Sequence, residues 1–106
     1  MTTLRIYRKG SIYIGFECSG HSGYAEAGSD IVCAAISTAV QYCIQCGESI
    51  DQASLAVITE EDQALIRCIS KKQDLGFSKH IEILKVLCES IAEQYAMYFN
   101  LEIMEV

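Results

Sequence analysis

The segment from Gly28 to Cys43 reads GSDIVCAAISTAVQYC and decides the centre of the fold. Ser29 and Asp30 are residue types that commonly cap a helix N-terminus. The apolar residues that follow recur three or four positions apart, which is the spacing of one buried helical face. These residues are Val32, Ile36, Ala39, Val40 and Cys43. The segment therefore predicts a helix that packs on a core and ends near Gly47, a residue type that often follows the last helical turn.

Two strands and a glycine-rich loop precede this helix. Residues 4–7 and 12–18 alternate apolar and polar side chains on either side of a Lys9-Gly10 turn, which predicts a hairpin. The loop over residues 19–28 then carries three glycines, at positions 20, 23 and 28. Because glycine adopts backbone angles that other residues avoid, this loop is expected to be mobile when empty and to close over a bound ligand.

The second half of the chain predicts two strands, a second helix and a last strand. In chain order these elements occupy residues 55–59, 64–70, about 78–98 and 101–104. The second helix shows one apolar face, made of Phe77, Ile81, Leu84, Cys88, Ile91, Tyr95 and Tyr98. The order ββαββαβ predicts one α+β domain over residues 1–106, in which two helices form a layer on a five-stranded mixed sheet.

The composition limits the partners and the compartment. The 106 residues carry a formal net charge of −6, which argues against direct nucleic-acid binding and suits a basic peptide or protein partner. No apolar run approaches the ~20 residues of a membrane span, so no membrane partner is predicted. The N-terminus lacks the apolar core of a signal peptide. The six cysteines are therefore expected to be free thiols in the cytoplasm.

Cys33 and His21 are the candidate reactive pair. Cys33 lies in the first turn of the predicted helix, where the positive end of the helix dipole favours a thiolate. His21 lies twelve residues earlier, directly after Gly20, on a loop that can present its imidazole. An imidazole takes up and returns a proton near neutral pH, so the pair predicts a cysteine nucleophile with a histidine base. His80, in the first turn of the second helix, is predicted to be exposed and without a role.

Two further side chains accompany this pair. Asp30 is either a helix cap or a third member of the site that orients His21. Ser37 lies one turn after Cys33, where its hydroxyl can bond the thiol or the substrate, or else a backbone carbonyl. Unpaired amides at the helix start, around residues 31–33, are the candidate donors for an oxyanion.

A zinc site is the main alternative to a cysteine nucleophile. Cys18 with His21, and Cys43 with Cys46, form two spaced pairs of the kind that zinc prefers. Cys43 belongs to the buried face of the helix, however, and a rigid helix rarely offers such a pair in mid-body. The sequence therefore predicts no metal and no cofactor. A redox role for Cys43 and Cys46 is weaker still, because that pair lies at the end of a helix.

Two motifs around the pair resemble the signature of the ribosomal-processing cysteine protease family, Prp. They are Gly-His-x-Gly-Tyr-Ala at residues 20–25 and Gly-x-Asp-Ile-Val-Cys-Ala-Ala at residues 28–35, with Ser22 where Ala is expected. The chain length and the element order also fit. The resemblance implies that His21 and Cys33 are the catalytic dyad.

The resemblance also carries expectations for the rest of the site and for the partners. The family has an Asp and a Ser near the site at the positions of Asp30 and Ser37. The implied activity is a cysteine endopeptidase that removes the N-terminal extension of a large-subunit ribosomal protein, the one numbered twenty-seven, during ribosome assembly. A homodimer is implied as well, and the apolar segment 95–99 needs a cover from the sheet or from a second subunit.

A function of another class stays open at the level of sequence. A non-catalytic, dimeric protein associated with the ribosome or its assembly would carry the same residues, with Cys33 as a structural thiol. Most cysteines in folded proteins are buried and unreactive. The reactivity of Cys33 towards an alkylating reagent distinguishes the two readings.

Overall fold

The computed structural model describes residues 1–21, 23–26 and 30–106 and confirms the predicted element order ββαββαβ. The elements are β1 (Thr2–Lys9), β2 (Ile12–Ser19), α1 (Ile31–Ser49), β3 (Leu55–Glu60), β4 (Leu65–Ser70), α2 (Leu75–Gln94) and β5 (Phe99–Glu105). The expectations for Ser22, Gly28 and Ser29 lie outside the described residues.

The sheet is five-stranded and mixed, as predicted, with the order β3-β4-β2-β1-β5. All neighbours are antiparallel except β1 and β5, which run parallel. The pairings make β2 parallel to β3 and β4 parallel to β5, although neither pair is adjacent. Parallel strands need a crossover connection, and α1 and α2 supply the two crossovers. The helices contact each other and share one core with the sheet, so both lie on the same face.

One apolar layer between the sheet and the helices forms the core. The strands contribute Leu4, Ile6, Phe16, Cys18, Cys68 and Phe99; α1 contributes Val32, Ile36, Val40, Cys43 and Ile44; α2 contributes Phe77, Ile81, Leu84 and Cys88. The rings of Phe16 and Phe77 join strand to helix with centroids 6.4 Å apart. The predicted apolar faces of both helices thus pack on the core, although Tyr95 and Tyr98 of the predicted second helix lie beyond the end of α2 and are only partly buried.

The other face of the sheet carries a row of alternating charges. Arg5 is opposite Glu102 on one side and Glu17 on the other, and Glu17 is opposite Arg67. Arg5 Nε lies 3.1 Å from Glu102 Oε2, and Arg67 Nη2 lies 2.9 Å from Glu17 Oε1. The Tyr7 hydroxyl donates to Glu17 Oε2 at 2.8 Å. Opposite charges on facing strands stabilise the register of the sheet.

The sequence suggested that Gly47 ends α1, but the structure shows that Gly47 is not its C-terminal cap. The helix continues to Ser49, and Ile50 is the capping residue. Gly47 is buried inside the helix, where a Cβ would lie 2.8 Å from the Phe77 ring and 2.9 Å from the Leu55 side chain. The glycine therefore serves the close packing of α1 on its neighbours rather than a change of chain direction.

The second helix begins and ends earlier than predicted. Asp74, not a residue near Ser78, caps α2 by accepting a hydrogen bond from the Phe77 amide at 2.8 Å. Gly76 in the first turn obscured this start, because glycine weakens a helical pattern. A Cβ at Gly76 would lie 2.5 Å from the Asp51 carboxylate. At the other end α2 stops at Gln94, and Phe99, the first residue of β5, is covered by the core.

No helix in the described part of the chain is long and apolar enough to cross a membrane.

The buried thiols predict how stability depends on pH. Burial raises the pKa of Cys18 and Cys68 to about 11 and that of Cys43 and Cys88 to about 12. An unfolded thiol loses its proton near pH 9, before the folded one does. The thiols therefore contribute stability that is complete below about pH 9 and is lost as the pH rises towards 11–12.

The expected result is a free energy of unfolding in urea that falls between pH 8 and pH 10. Cys88→Ala is expected to cost about 1 kcal/mol or more at pH 8, because it leaves a cavity in the core. Between pH 8 and pH 10, the free energy of unfolding of Cys88→Ala is expected to fall by about 1 kcal/mol less than that of the unmodified protein, because the variant lacks one buried thiol. Equal losses in both proteins would contradict this assignment.

Candidate active site

The segment that carries His21 is fixed at its first residue. Gly20 follows β2 with a φ of +86°, and a Cβ there would lie 2.5 Å from the Met1 carbonyl oxygen. The Gly20 amide donates to the Gln63 carbonyl at 3.2 Å, and its carbonyl accepts from the Thr2 hydroxyl at 3.3 Å. Only glycine combines this backbone angle with this close approach. His21 therefore begins at a fixed point between β1 and the β3–β4 turn.

Cys33 is the third residue of α1 and is partly exposed. Asp30 is the N-cap, and its Oδ1 accepts a hydrogen bond from the Cys33 amide at 2.9 Å. This bond takes the Cys33 amide out of the predicted set of oxyanion donors. The amides of Ile31 and Val32 also lack an intrahelical acceptor. The cap does not occupy them, so they remain available to a substrate oxygen.

Two cavities that share Cys33 and Ser37 bring the five predicted site residues together. The catalytic cavity, about 500 Å³, is lined by His21, Gly23, Ala25, Asp30, Cys33, Ala34 and Ser37. The side cavity, about 180 Å³, is lined by Thr2, Cys18, Gly20, Cys33, Ile36, Ser37, Val40, Ala64 and Ile66. His21, Asp30, Cys33 and Ser37 thus face one space, and Gly20 lies beside it.

The groups around Cys33 differ in their polarity. The Ser37 hydroxyl accepts from Gln41 Nε2 at 2.9 Å, which leaves its own proton to donate elsewhere. Cys18 stays a neutral thiol, because burial first and the charge of Cys33 second raise its pKa to about 11. The side cavity therefore offers a mostly apolar wall, with the Ser37 hydroxyl at the boundary to the catalytic cavity and the Thr2 hydroxyl bonded to the Gly20 carbonyl.

The walls of the side cavity include residues that the sequence did not indicate. Thr2 comes from β1, Ala64 is the last residue before β4, and Ile66 lies in β4. These residues are far from Cys33 along the chain and carry no motif. Only the pairing of β2 with β1 and β4 brings them beside the catalytic cavity.

His80 differs from its predicted exposed state. Its Nδ1 lies 2.6 Å from Asp51 Oδ2, and the Asp51 side chain is only 7% exposed. The pair joins the segment after α1 to the second turn of α2. His80 therefore has a structural contact that the sequence did not indicate, because its partner is 29 positions away.

The alternative zinc ligands do not form a cluster. Among residues 1–21, 23–26 and 30–106, no three His, Cys, Asp or Glu side chains lie close enough together to hold a metal ion. Cys18 and Cys43 are buried in the core, whereas Cys46 opens towards the groove between the helices.

Cys33, at the start of a helix, and His21 line one open cavity, and comparison with known proteins gives the class of protein. Residues 1–100 match the model of a family of cysteine proteases. The family is described as Cysteine protease Prp, and the chain belongs to it. No curated protein matches the chain.

Solved structures share the fold at low sequence identity. The essential ribosomal processing protease Prp from S. aureus, in complex with a covalently linked product peptide, matches with a TM-score of 0.89 and 18% identity, over 97% of this chain and 99% of that one. The same protease with a substrate peptide gives 0.85 and 17% over the same shares. SMU.848 from Streptococcus mutans gives 0.81 and 23%, over 100% of this chain and 96% of that one.

Substitutions at Asp30 separate its capping contact from any role of its charge. Asp30→Ala is expected to lower the free energy of unfolding by about 1 kcal/mol, because the Cys33 amide loses its acceptor. Asp30→Asn keeps an acceptor of similar capping strength and is expected to retain both stability and turnover of a peptide substrate. Urea unfolding and peptide cleavage, measured side by side, check this. A folded but inactive Asp30→Asn would show instead that the carboxylate charge acts in the reaction.

Proposed function

We propose that this protein is a cysteine endopeptidase that removes the N-terminal extension of the large-subunit ribosomal protein numbered twenty-seven during ribosome assembly. One observation carries the proposal: in a chain of the Prp family, His21 and Cys33 line the same open cavity. The S. aureus relatives with product and substrate peptides support a peptide as the substrate. The net charge of −6 suits a basic ribosomal protein.

The proposed mechanism uses the Cys33–His21 dyad. His21 takes the proton of the Cys33 thiol, and the thiolate attacks the scissile carbonyl to form a C–S bond. The oxyanion is stabilised by the Ile31 and Val32 amides at the positive end of α1. His21 returns the proton to the leaving amine as the C–N bond breaks. Water then attacks the thioester, which releases the new carboxylate and restores the thiol.

The other site residues support this chemistry in the proposal. Asp30 orients the first turn of α1 through its bond to the Cys33 amide. Ser37 supplies a hydroxyl at the boundary between the two cavities. Gly20 allows a close approach to the Met1 carbonyl, and this approach fixes the backbone directly before His21. The apolar side cavity suits an apolar side chain next to the scissile bond.

The nucleophile is tested by cleavage of the extended ribosomal protein from the same cell, with product masses read by mass spectrometry. Cys33→Ala and Cys33→Ser are expected to abolish cleavage without loss of the fold, since Cys33 lies at the edge of the core. Cys46→Ala is the matched control, because Cys46 is also a partly exposed thiol of α1. It is expected to retain cleavage.

The opposite results separate the two functional classes. Turnover by Cys33→Ala would remove the protease assignment. The non-catalytic ribosome-associated protein would be favoured by two results together. Cys33 would be alkylated no faster than the other five thiols, and the unmodified protein would not cleave the substrate.

We also propose a homodimer in the cytoplasm, where all six free thiols would stay reduced. The face of α1 and α2 away from the sheet forms a groove of about 670 Å³, the α1–α2 groove. Large apolar side chains are exposed around it: Ile31, Tyr42, Ile83 and Leu87. Residues 31–47 contain no charged side chain. Two such faces can meet without bringing the net negative charges of the two copies into contact.

The dimer is tested by mass in solution. Ile83→Glu places a charge in the α1–α2 groove, where Ile83 is 66% exposed. This variant is expected to be a folded monomer of 11.7 kDa instead of a dimer. Met97→Glu is the control, because Met97 is 80% exposed but lies beyond the end of α2. Light scattering after gel filtration reads both. A dimer that survives Ile83→Glu, or one that Met97→Glu disrupts, would exclude this face.

A further inference from the structure

Tyr24, three residues after His21, lies against two aromatic rings at the end of α2. Its ring meets that of Tyr95 edge to face, with centroids 5.6 Å apart and planes at 84°. It meets that of Tyr98 in the same manner, at 5.2 Å and 81°. Edge-to-face contacts at these distances are favourable beyond the area they bury. Tyr95 and Tyr98 in turn pack on the core, whereas Tyr24 remains 41% exposed.

These contacts give the His21 segment a second fixed point. The first is Gly20, which is bonded to Thr2 and to the Gln63 carbonyl. The second is Tyr24, and both points are joined to the same corner of the molecule, because the Thr2 amide donates to the Tyr98 carbonyl at 3.0 Å. His21 therefore lies between two residues, Gly20 and Tyr24, that contact the same corner of the molecule.

A glycine with a positive φ lies between His21 and Tyr24. Gly23, directly before Tyr24, has a φ of +74°, and a Cβ there would meet no other atom within 4 Å. Gly23 and Ala25 also line the catalytic cavity, so the position of Tyr24 affects the shape of that cavity as well as the placement of His21.

We propose that Tyr24 is a positioning residue, and that its contacts with Tyr95 and Tyr98 form an aromatic latch which holds the His21 imidazole towards Cys33. This inference rests on the proposed Cys33–His21 dyad. Tyr24 acts through His21 and takes no part in proton transfer. Loss of the latch removes one of the two fixed points described here, so the His21 imidazole spends less time in the geometry that proton transfer requires.

The test combines turnover with the pH dependence of Cys33 alkylation by iodoacetamide. Tyr24→Leu keeps an apolar side chain but removes the ring, and is expected to lower kcat for the extended ribosomal protein about tenfold or more. It is expected to move the alkylation profile in the direction that His21→Ala moves it. Tyr24→Phe keeps the ring and is expected to retain turnover and profile. Tyr98→Leu is expected to act like Tyr24→Leu, and the double variant no worse than either single one.

Two controls separate positioning from general stability. Tyr7→Leu, on the sheet face away from the helices, is expected to lower the Tm without moving the alkylation profile. In a His21→Ala background, Tyr24→Leu is expected to change the alkylation rate no further, because the residue through which it acts is gone. A further change in that background, or an unchanged kcat for Tyr24→Leu alone, would overturn the latch.

The same measurements distinguish failure of the latch from failure of the proposed function. An alkylation profile that His21→Ala leaves unchanged would remove the dyad itself. A profile that His21→Ala moves, with Tyr24→Leu indistinguishable from the unmodified protein, would retain the dyad and exclude the latch.

Discussion

The rest of the structure depends on one constraint, which is the side of α1 that faces the core. Val32, Ile36 and Val40 are almost fully buried against the sheet, and successive helix residues are offset by about 100°. With that stripe facing the core, Cys33 and Ser37 lie along its edge, one turn apart, beside the end of β2. The residues on the opposite side must line the α1–α2 groove. The hydrophobic core thus orients Cys33 and the outer face of α1 in a single step.

The two halves of the site are held in different ways. Cys33 belongs to a long helix whose first turn is capped by Asp30, so its position follows from the packing of the core. His21 lies beyond the end of β2, and the contacts described on either side of it are those of Gly20 and of Tyr24. Elements packed on the core are more stable locally than segments held by few contacts. Variation in activity is therefore expected to arise at the histidine side of the site.

Periodicity was a good guide to the elements, and glycine was a poor guide to their ends. The apolar spacing predicted both helices, all five strands and the buried faces, because burial on one side imposes a period on any helix or strand. Gly47 and Gly76, however, lie inside helices, where Phe77 and Asp51 approach too closely for a Cβ. A close approach between distant segments cannot be distinguished from a turn in the sequence alone, since both require the same residue.

The sequence by itself determined the element order, the cysteine at a helix start, the histidine on a glycine-rich loop and the family to which both motifs point. These features are local, and local spacing encodes them. The tertiary structure alone decided that Thr2 and Ile66 wall the side cavity, that His80 pairs with Asp51 and that Tyr24 rests on Tyr98. Most of these contacts join residues tens of positions apart. They exist only because burying one apolar layer folds the sheet and both helices together.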